Sequence, residues 1–188
     1  MTEADMIETA LRESPITAPL LDRWGDINLP DAWLVAGAVA QTVWNARHGL
    51  PVAHGMKDVD IVYHDAADLS ESGEAEQAAR IGTMFADLPV RLDVKNEARV
   101  HLWYEARFGY PIAPYASARA AIATFPTTAT SVGVRPGING LEIEAPFGLS
   151  DLCNGRIRPN KVQITAEIYR DKVDRWHALW PALKIETW

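Results

Sequence analysis

Asp58-Val59-Asp60-Ile61-Val62-Tyr63 and Val90-Arg91-Leu92-Asp93-Val94-Lys95 alternate at period two, the signature of strands with one buried and one open face. In the first, Val59, Ile61 and Tyr63 face the core, leaving Asp58, Asp60 and Val62 on the other side. In the second, Val90, Leu92 and Val94 face inward while Arg91, Asp93 and Lys95 face outward. Between them, Ala78, Ile81 and Phe85 mark a helix over about residues 74–85. A strand, a helix and a strand that share one open side predict a sheet whose outward face carries carboxylates.

Working outward, Met6, Ile7, Ala10 and Leu11 predict a first helix behind a Thr2 cap, ended by Pro15. Leu20, Leu21 and Trp24 predict a second before Gly25, so residues 1–29 form a helical N-terminal brace. The apolar run Trp33-Leu34-Val35-Ala36-Gly37-Ala38 is compatible with a strand, a turn at Gly37 and a helix, or with one longer helix. Residues 49–57 form a loop and residues 97–103 carry no clear period. Residues 115–125 are an Ala-rich helix closed by Pro126. Residues 128–135 and 141–145 are strands joined by the glycine-containing loop 136–140. Tyr169, Val173, Trp176 and Trp180 form the buried seam of a C-terminal helix that stops at Pro181. The fold class is α+β, a mixed sheet with helices packed on one face, in a single domain over residues 1–188.

Composition narrows the function. Of 188 residues, 48% are hydrophobic and seven are Trp, which excludes a disordered chain. Lys and Arg number 18 against 25 Asp and Glu, a formal charge of −7, so the totals give no basic footprint for a phosphate backbone and argue against nucleic acid. The single cysteine, Cys153, forms no internal disulfide and is expected to be a packed small residue. The acidic start and the lack of a long apolar run predict a soluble, cytoplasmic protein with no membrane partner. No P-loop, G-x-S-x-G elbow or zinc-type histidine spacing occurs.

Asp58 and Asp60 lie two apart on a strand, their Cα atoms roughly 6.5 to 7 Å apart with both side chains on one face. Like charges held so close repel unless a cation lies between them, and hard oxygen ligands suit Mg²⁺ or Mn²⁺. Asp93, on the outward face of a second strand, adds a third oxygen ligand if the strands are adjacent. Three such carboxylates would support a two-metal site of the kind used for phosphoryl and nucleotidyl transfer. Lys95, Asn96, Arg99 and His101 follow within eight positions and are candidates to hold a triphosphate.

The chain resembles a family of bacterial nucleotidyltransferase-like proteins, a branch of the DNA polymerase β-like nucleotidyltransferase superfamily. The resemblance is carried by Ala36-Gly37-Ala38-Val39 with Val43-Trp44, by Asp58-Val59-Asp60-Ile61-Val62-Tyr63 and by Val94-Lys95-Asn96-Glu97-Ala98-Arg99-Val100-His101. Thr130-Ser131-Val132-Gly133-Val134-Arg135, Ala145-Pro146-Phe147-Gly148-Leu149-Ser150-Asp151-Leu152, Arg158-Pro159 and Trp180-Pro181 extend it. It implies that Asp58, Asp60 and Asp93 ligate the metal, and that Asp93 helps deprotonate an acceptor hydroxyl. Gly37 and Ala38 stand where superfamily members touch phosphate. The implied reaction transfers a nucleoside monophosphate from a nucleoside triphosphate to a hydroxyl of a small molecule or protein, with Mg²⁺ or Mn²⁺ as cofactor. Two alternatives stay open: a non-catalytic nucleotide- or partner-binding module on the same fold, and a D-x-D glycosyltransferase.

Overall fold

The computed structural model describes residues 1–188. In chain order the elements are α1 (Glu3–Glu13), α2 (Ala18–Asp22), α3 (Trp24–Ile27), β1 (Trp33–Val35), α4 (Gly37–His48), β2 (Asp58–Tyr63), α5 (Glu71–Met84) and β3 (Arg91–Asn96). A 3-10 turn (Glu97–Arg99) leads into α6 (His101–Phe108). There follow α7 (Ala118–Ile122), β4 (Gly133–Gly137), β5 (Gly140–Glu144), α8 (Ser150–Asn154), β6 (Arg156–Ile157), α9 (Ala166–Leu179) and β7 (Lys184–Ile185). β6 and β7 pair as a separate two-stranded parallel ribbon.

The main sheet has the order β3-β2-β1-β4-β5. β2 and β3 are parallel, joined by the α5 crossover that parallel neighbours require, and every other pairing is antiparallel. Leu34, Val59, Ile61, Val94 and Val134 turn to one face and join a buried cluster with residues of α1, α4, α5 and α9. The first 29 residues belong to it, since Ile7, Leu11, Ile16, Leu20 and Ile27 are fully buried there. Thr2 caps α1 as expected: its hydroxyl accepts from the Asp5 amide and the Asp5 carboxylate accepts from Thr2 N–H. Cys153 is buried, and burial pushes its thiol up to about 11, which leaves it inert at neutral pH.

The opposite face is only partly bare. Trp33, Val35 and Val62 form a small second cluster under Ala118 and Ile122 of α7, so one short helix lies on the side opposite the main layer. That helix is shorter than the Ala-rich stretch suggests. Ser117 caps its start, and the Asn160 amide captures the carbonyls of Ala123 and Phe125 and draws the chain out of helical geometry. β4 starts at Gly133 rather than near 128 because the Thr127 and Ser131 side chains bond locally and fold residues 127–131 into a turn. The hairpin is also tighter: Gly137 pairs with Gly140, leaving Ile138 and Asn139 at the tip. Trp33–Val35 resolves as a strand, and the positive φ of the following turn falls on Ala36 (φ 52°, ψ −117°), not on Gly37.

Three tryptophans anchor α9 to α4. Trp44 meets Trp176 and Trp180 edge to face, both with centroids 5.6 Å apart. The Trp44 indole N–H donates to the Leu152 carbonyl and that of Trp180 to Asn45 Oδ1. Gly55 (φ +69°) lies so close that a Cβ there would meet the Trp180 ring at 2.3 Å. Trp44→Ala is expected to lower unfolding stability by about 3–5 kcal/mol, read as a drop in urea midpoint.

Candidate active site

The register of β2 on β3 sets Asp60 opposite Asp93, Asp58 opposite Arg91 and Val62 opposite Lys95, all on the open face. The two strands predicted to share a side are adjacent. Two cations already stand among the three carboxylates. Arg91 Nη2 is 3.3 Å from Asp58 Oδ2 and 4.0 Å from Asp93, and Lys95 Nζ is 3.5 Å from Asp93 Oδ1 and 4.0 Å from Glu74. Asp60 has no such partner. Burial, and then the charges of Asp58 and Asp93, push its carboxyl up to about 6.

Asp60 and Asp93, but not Asp58, line a cavity of about 200 Å³. Its lining mixes polar residues, Asp60, Asp93, Lys95, Glu97 and Lys172, with apolar ones, Val35, Val62, Phe125 and Pro126. Ala36, the residue before α4, completes it. Ala36 is held in its left-handed conformation by donating its N–H to Val132 O and accepting from Ala40 N, both at 2.9 Å. The first turn of α4, with Gly37, therefore opens beside the cavity. Ala38 is fully buried and offers the site only its backbone.

The other sequence candidates divide. Lys95 lines the cavity. Asn96 is buried, accepting from the amides of Asp65 and Ala98 and donating to the carbonyls of Asp65 and Asp68. Arg99 is also buried, 2.9 Å from Glu74 and bonded to the Leu69 carbonyl. Both side chains thus tie the loop after β2 and the start of α5 to the end of β3, a positioning task in place of the phosphate contact expected of them. His101 begins α6 half-buried, its Nδ1 without a partner.

Two cavity residues escaped the sequence reading. Glu97 continues the 93, 95, 97 alternation, so its direction was inferable. It is only 7% exposed, and burial, followed by the charges of Glu74 and Asp60, pushes its carboxyl up to about 8. Lys172 comes from α9, beside the Tyr169–Val173–Trp176 seam. Burial lowers the pKa of its ammonium, a pull that Asp60 opposes. No local pattern points from residue 172 to residue 60.

A sequence profile of a nucleotidyltransferase family matches residues 22–185. The chain belongs to this nucleotidyltransferase family. Its fold is similar to a CCA-adding enzyme head domain solved by NMR, with TM-score 0.79 and 25% identity over 97% of this chain and 95% of that one. It is also similar to the Thermotoga maritima CCA-adding enzyme complexed with tRNA (TM-score 0.51, 18% identity, 98% of this chain) and to a CCA-adding enzyme with ATP (TM-score 0.50, 18% identity, 96%). In both cases the match spans 42% of the larger chain. No curated protein matches. The family and the head-domain likeness support a nucleotidyltransferase-like function for this chain and weigh against the glycosyltransferase alternative. No helix is long and apolar enough to cross a membrane.

The three aspartates would offer a divalent cation only carboxylate oxygens, the donor type it favours, and Asp60 is held against the charge of its two neighbours. No three carboxylates are drawn into a preformed ligand cluster, and Arg91 and Lys95 occupy the charge balance instead.

Glu97 makes a measurable pH signature. Its carboxyl titrates near 4.5 when unfolded and about 8 when folded, so the unfolded chain loses its proton first and stability falls as pH rises through that window. Asp60 acts in the same sense up to about 6. Urea midpoints are expected to fall between pH 5 and pH 8 in the wild type. Glu97→Gln removes most of the decline above pH 6 and is the more stable protein at pH 8, by ~1.4 kcal/mol for each tenfold change in proton affinity abolished. A wild-type profile flat across this range contradicts the assignment.

Proposed function

We propose that this protein moves a nucleoside monophosphate from a nucleoside triphosphate to a hydroxyl acceptor, a small molecule or a protein, and that Asp58, Asp60 and Asp93 hold the divalent metal it uses. The observation that carries the proposal is the facing of Asp60 and Asp93 across β2 and β3, with Asp58 one step along the same face. Mg²⁺ or Mn²⁺ bound there supplies Lewis acidity and offsets the charge of the triphosphate and the carboxylates.

The chain's own groups do the rest. Lys95, from mid-chain, and Lys172, from the C-terminal helix, line the cavity and contact the phosphates, each as a point charge on a flexible stem. The N–H groups of the first turn of α4, at Gly37 and Ala38, add donors at the positive end of a twelve-residue helix. Asp93 takes the proton of the acceptor hydroxyl as its oxygen attacks the α-phosphorus, and pyrophosphate leaves. Asn96 and Arg99 keep β3 and α5 in place around these groups, and His101 opens the helix that follows.

The likeness to a CCA-adding enzyme head domain favours a second reading of the acceptor, an RNA 3′ hydroxyl. The net charge of −7 weighs toward the first.

Calorimetric titration of each nucleoside triphosphate with Mg²⁺ tests the proposal, with pyrophosphate release measured in parallel against hydroxyl acceptors including tRNA. Wild type binds at least one triphosphate, and Asp58→Ala/Asp60→Ala weakens it by on the order of 100-fold or more. Removing Asp60 relieves repulsion, so the melting temperature of the variant is unchanged or raised. No binding by wild type at millimolar triphosphate refutes the proposal. Binding without pyrophosphate release for any acceptor assigns the non-catalytic module instead.

A further inference from the structure

Glu97 is the one cavity carboxyl that the protein leaves without a role. Arg91 and Lys95 stand beside Asp58 and Asp93, and Asp60 belongs to the metal-ligand set proposed above. Glu97 is more than nine-tenths buried, yet only burial and nearby charges act on its carboxyl and no hydrogen bond within the protein does. It opens instead into the cavity it helps to line. A mostly buried carboxyl with no hydrogen-bond partner in the protein takes one from outside it, and one that faces a cavity is placed to take it from a ligand.

The rest of the lining identifies the kind of group. Val35 and Val62, with Phe125 packed against them, belong to one apolar cluster that meets the cavity, and Phe125 gives one aromatic surface. Asp60, Asp93, Lys95 and Lys172 supply charged groups that suit phosphate and metal. The apolar cluster suits a flat, uncharged moiety, and such a moiety needs a polar contact to fix its orientation.

We propose that Glu97 is a specificity-determining residue of the nucleotide site, pairing with the donor and acceptor atoms on the edge of the nucleobase while Phe125 and its apolar neighbours cover the base. This rests on the nucleotide reading given above. Held neutral at pH 7, the carboxyl presents one O–H donor and one carbonyl acceptor side by side, the complement of a base edge that carries an acceptor next to an N–H. Glutamine presents the same pair without a charge, whereas leucine fills similar space and offers neither.

The test titrates ATP, GTP, CTP and UTP, each with Mg²⁺, into wild type, Glu97→Gln and Glu97→Leu. Inorganic tripolyphosphate with Mg²⁺ is the probe that lacks a base, and thermal melts establish that each variant is folded. Wild type is expected to bind its preferred nucleoside triphosphate more tightly than tripolyphosphate. Glu97→Leu loses about tenfold or more on that nucleotide and changes tripolyphosphate binding less than about twofold, and Glu97→Gln restores the nucleotide to within about threefold. The inference is overturned if Glu97→Leu binds the nucleotide like wild type, if it weakens tripolyphosphate equally, or if Glu97→Gln does not rescue. Wild type binding tripolyphosphate as tightly as every nucleotide overturns this inference alone. Wild type binding none of the probes overturns the nucleotide reading and this inference with it.

Discussion

β2 and β3 run parallel for six residues without a slip, from Asp58 opposite Arg91 to Tyr63 opposite Asn96, and the candidate site depends on that register. Because side chains alternate, a shift of one residue would send Asp93 beneath α5 and bring Val94 to the open face. The register is held from below. Val59, Ile61 and Val94 are buried to 1% exposure or less, so the core admits only one phase of each strand. It is held at its end by the buried Asn96, Glu74 and Arg99, which join β3 to the start of α5 and to the loop leaving β2. Of that clamp only Glu74 comes near the cavity, 4.0 Å from Lys95 Nζ, yet without the clamp the two aspartates have no fixed separation.

The open face is divided by charge into two halves. On the β4–β5 side the acids are answered in full: Glu142 pairs with Arg119 and Arg135, Glu144 with Arg119, and Asp31 with Arg135. Arg135 also lies 4.0 Å over the Trp33 ring, so these cations are fixed by packing as well as by charge. On the β2–β3 side, Asp60 and Glu97 have no ion-pair partner and are pushed toward the neutral form. The same sheet is electrostatically settled on one side and unsettled on the other. Unsettled carboxylates in a cavity weaken the folded state, and that is the condition in which a bound cation and its triphosphate stabilise it most.

Much of this was legible in the sequence because it is local. Period two exposed β2 and β3 and their shared face, and the helical seam of α9 followed from Tyr169, Val173 and Trp176. The acidic pair was visible for the same reason. What was not legible depends on partners far along the chain. The end of α7 is set by Asn160, some forty residues away, and the start of β4 by hydroxyls that bond locally instead of extending. Asn96 and Arg99 have the chemistry of phosphate ligands, and only the tertiary arrangement shows Glu74 and the loop carbonyls claiming them. Lys172 reaches the site from the C-terminal helix, far along the chain from β2 and β3. Glu97 is the instructive case: it lies in a stretch with no clear period, and although the 93, 95, 97 spacing points it to the open face, its lack of a partner is a property of the fold.

Paramagnetic broadening by Mn²⁺ tests the central claim most directly, because it locates the cation without requiring an acceptor. In a backbone NMR spectrum of the full chain, substoichiometric Mn²⁺ with a non-hydrolysable triphosphate is predicted to broaden first the amides around Asp58, Asp60 and Asp93 and the first turn of α4. Broadening centred elsewhere, such as on Glu142 and Glu144 of β5, or spread evenly over the acidic surface, would contradict the placement of the active site on β2 and β3.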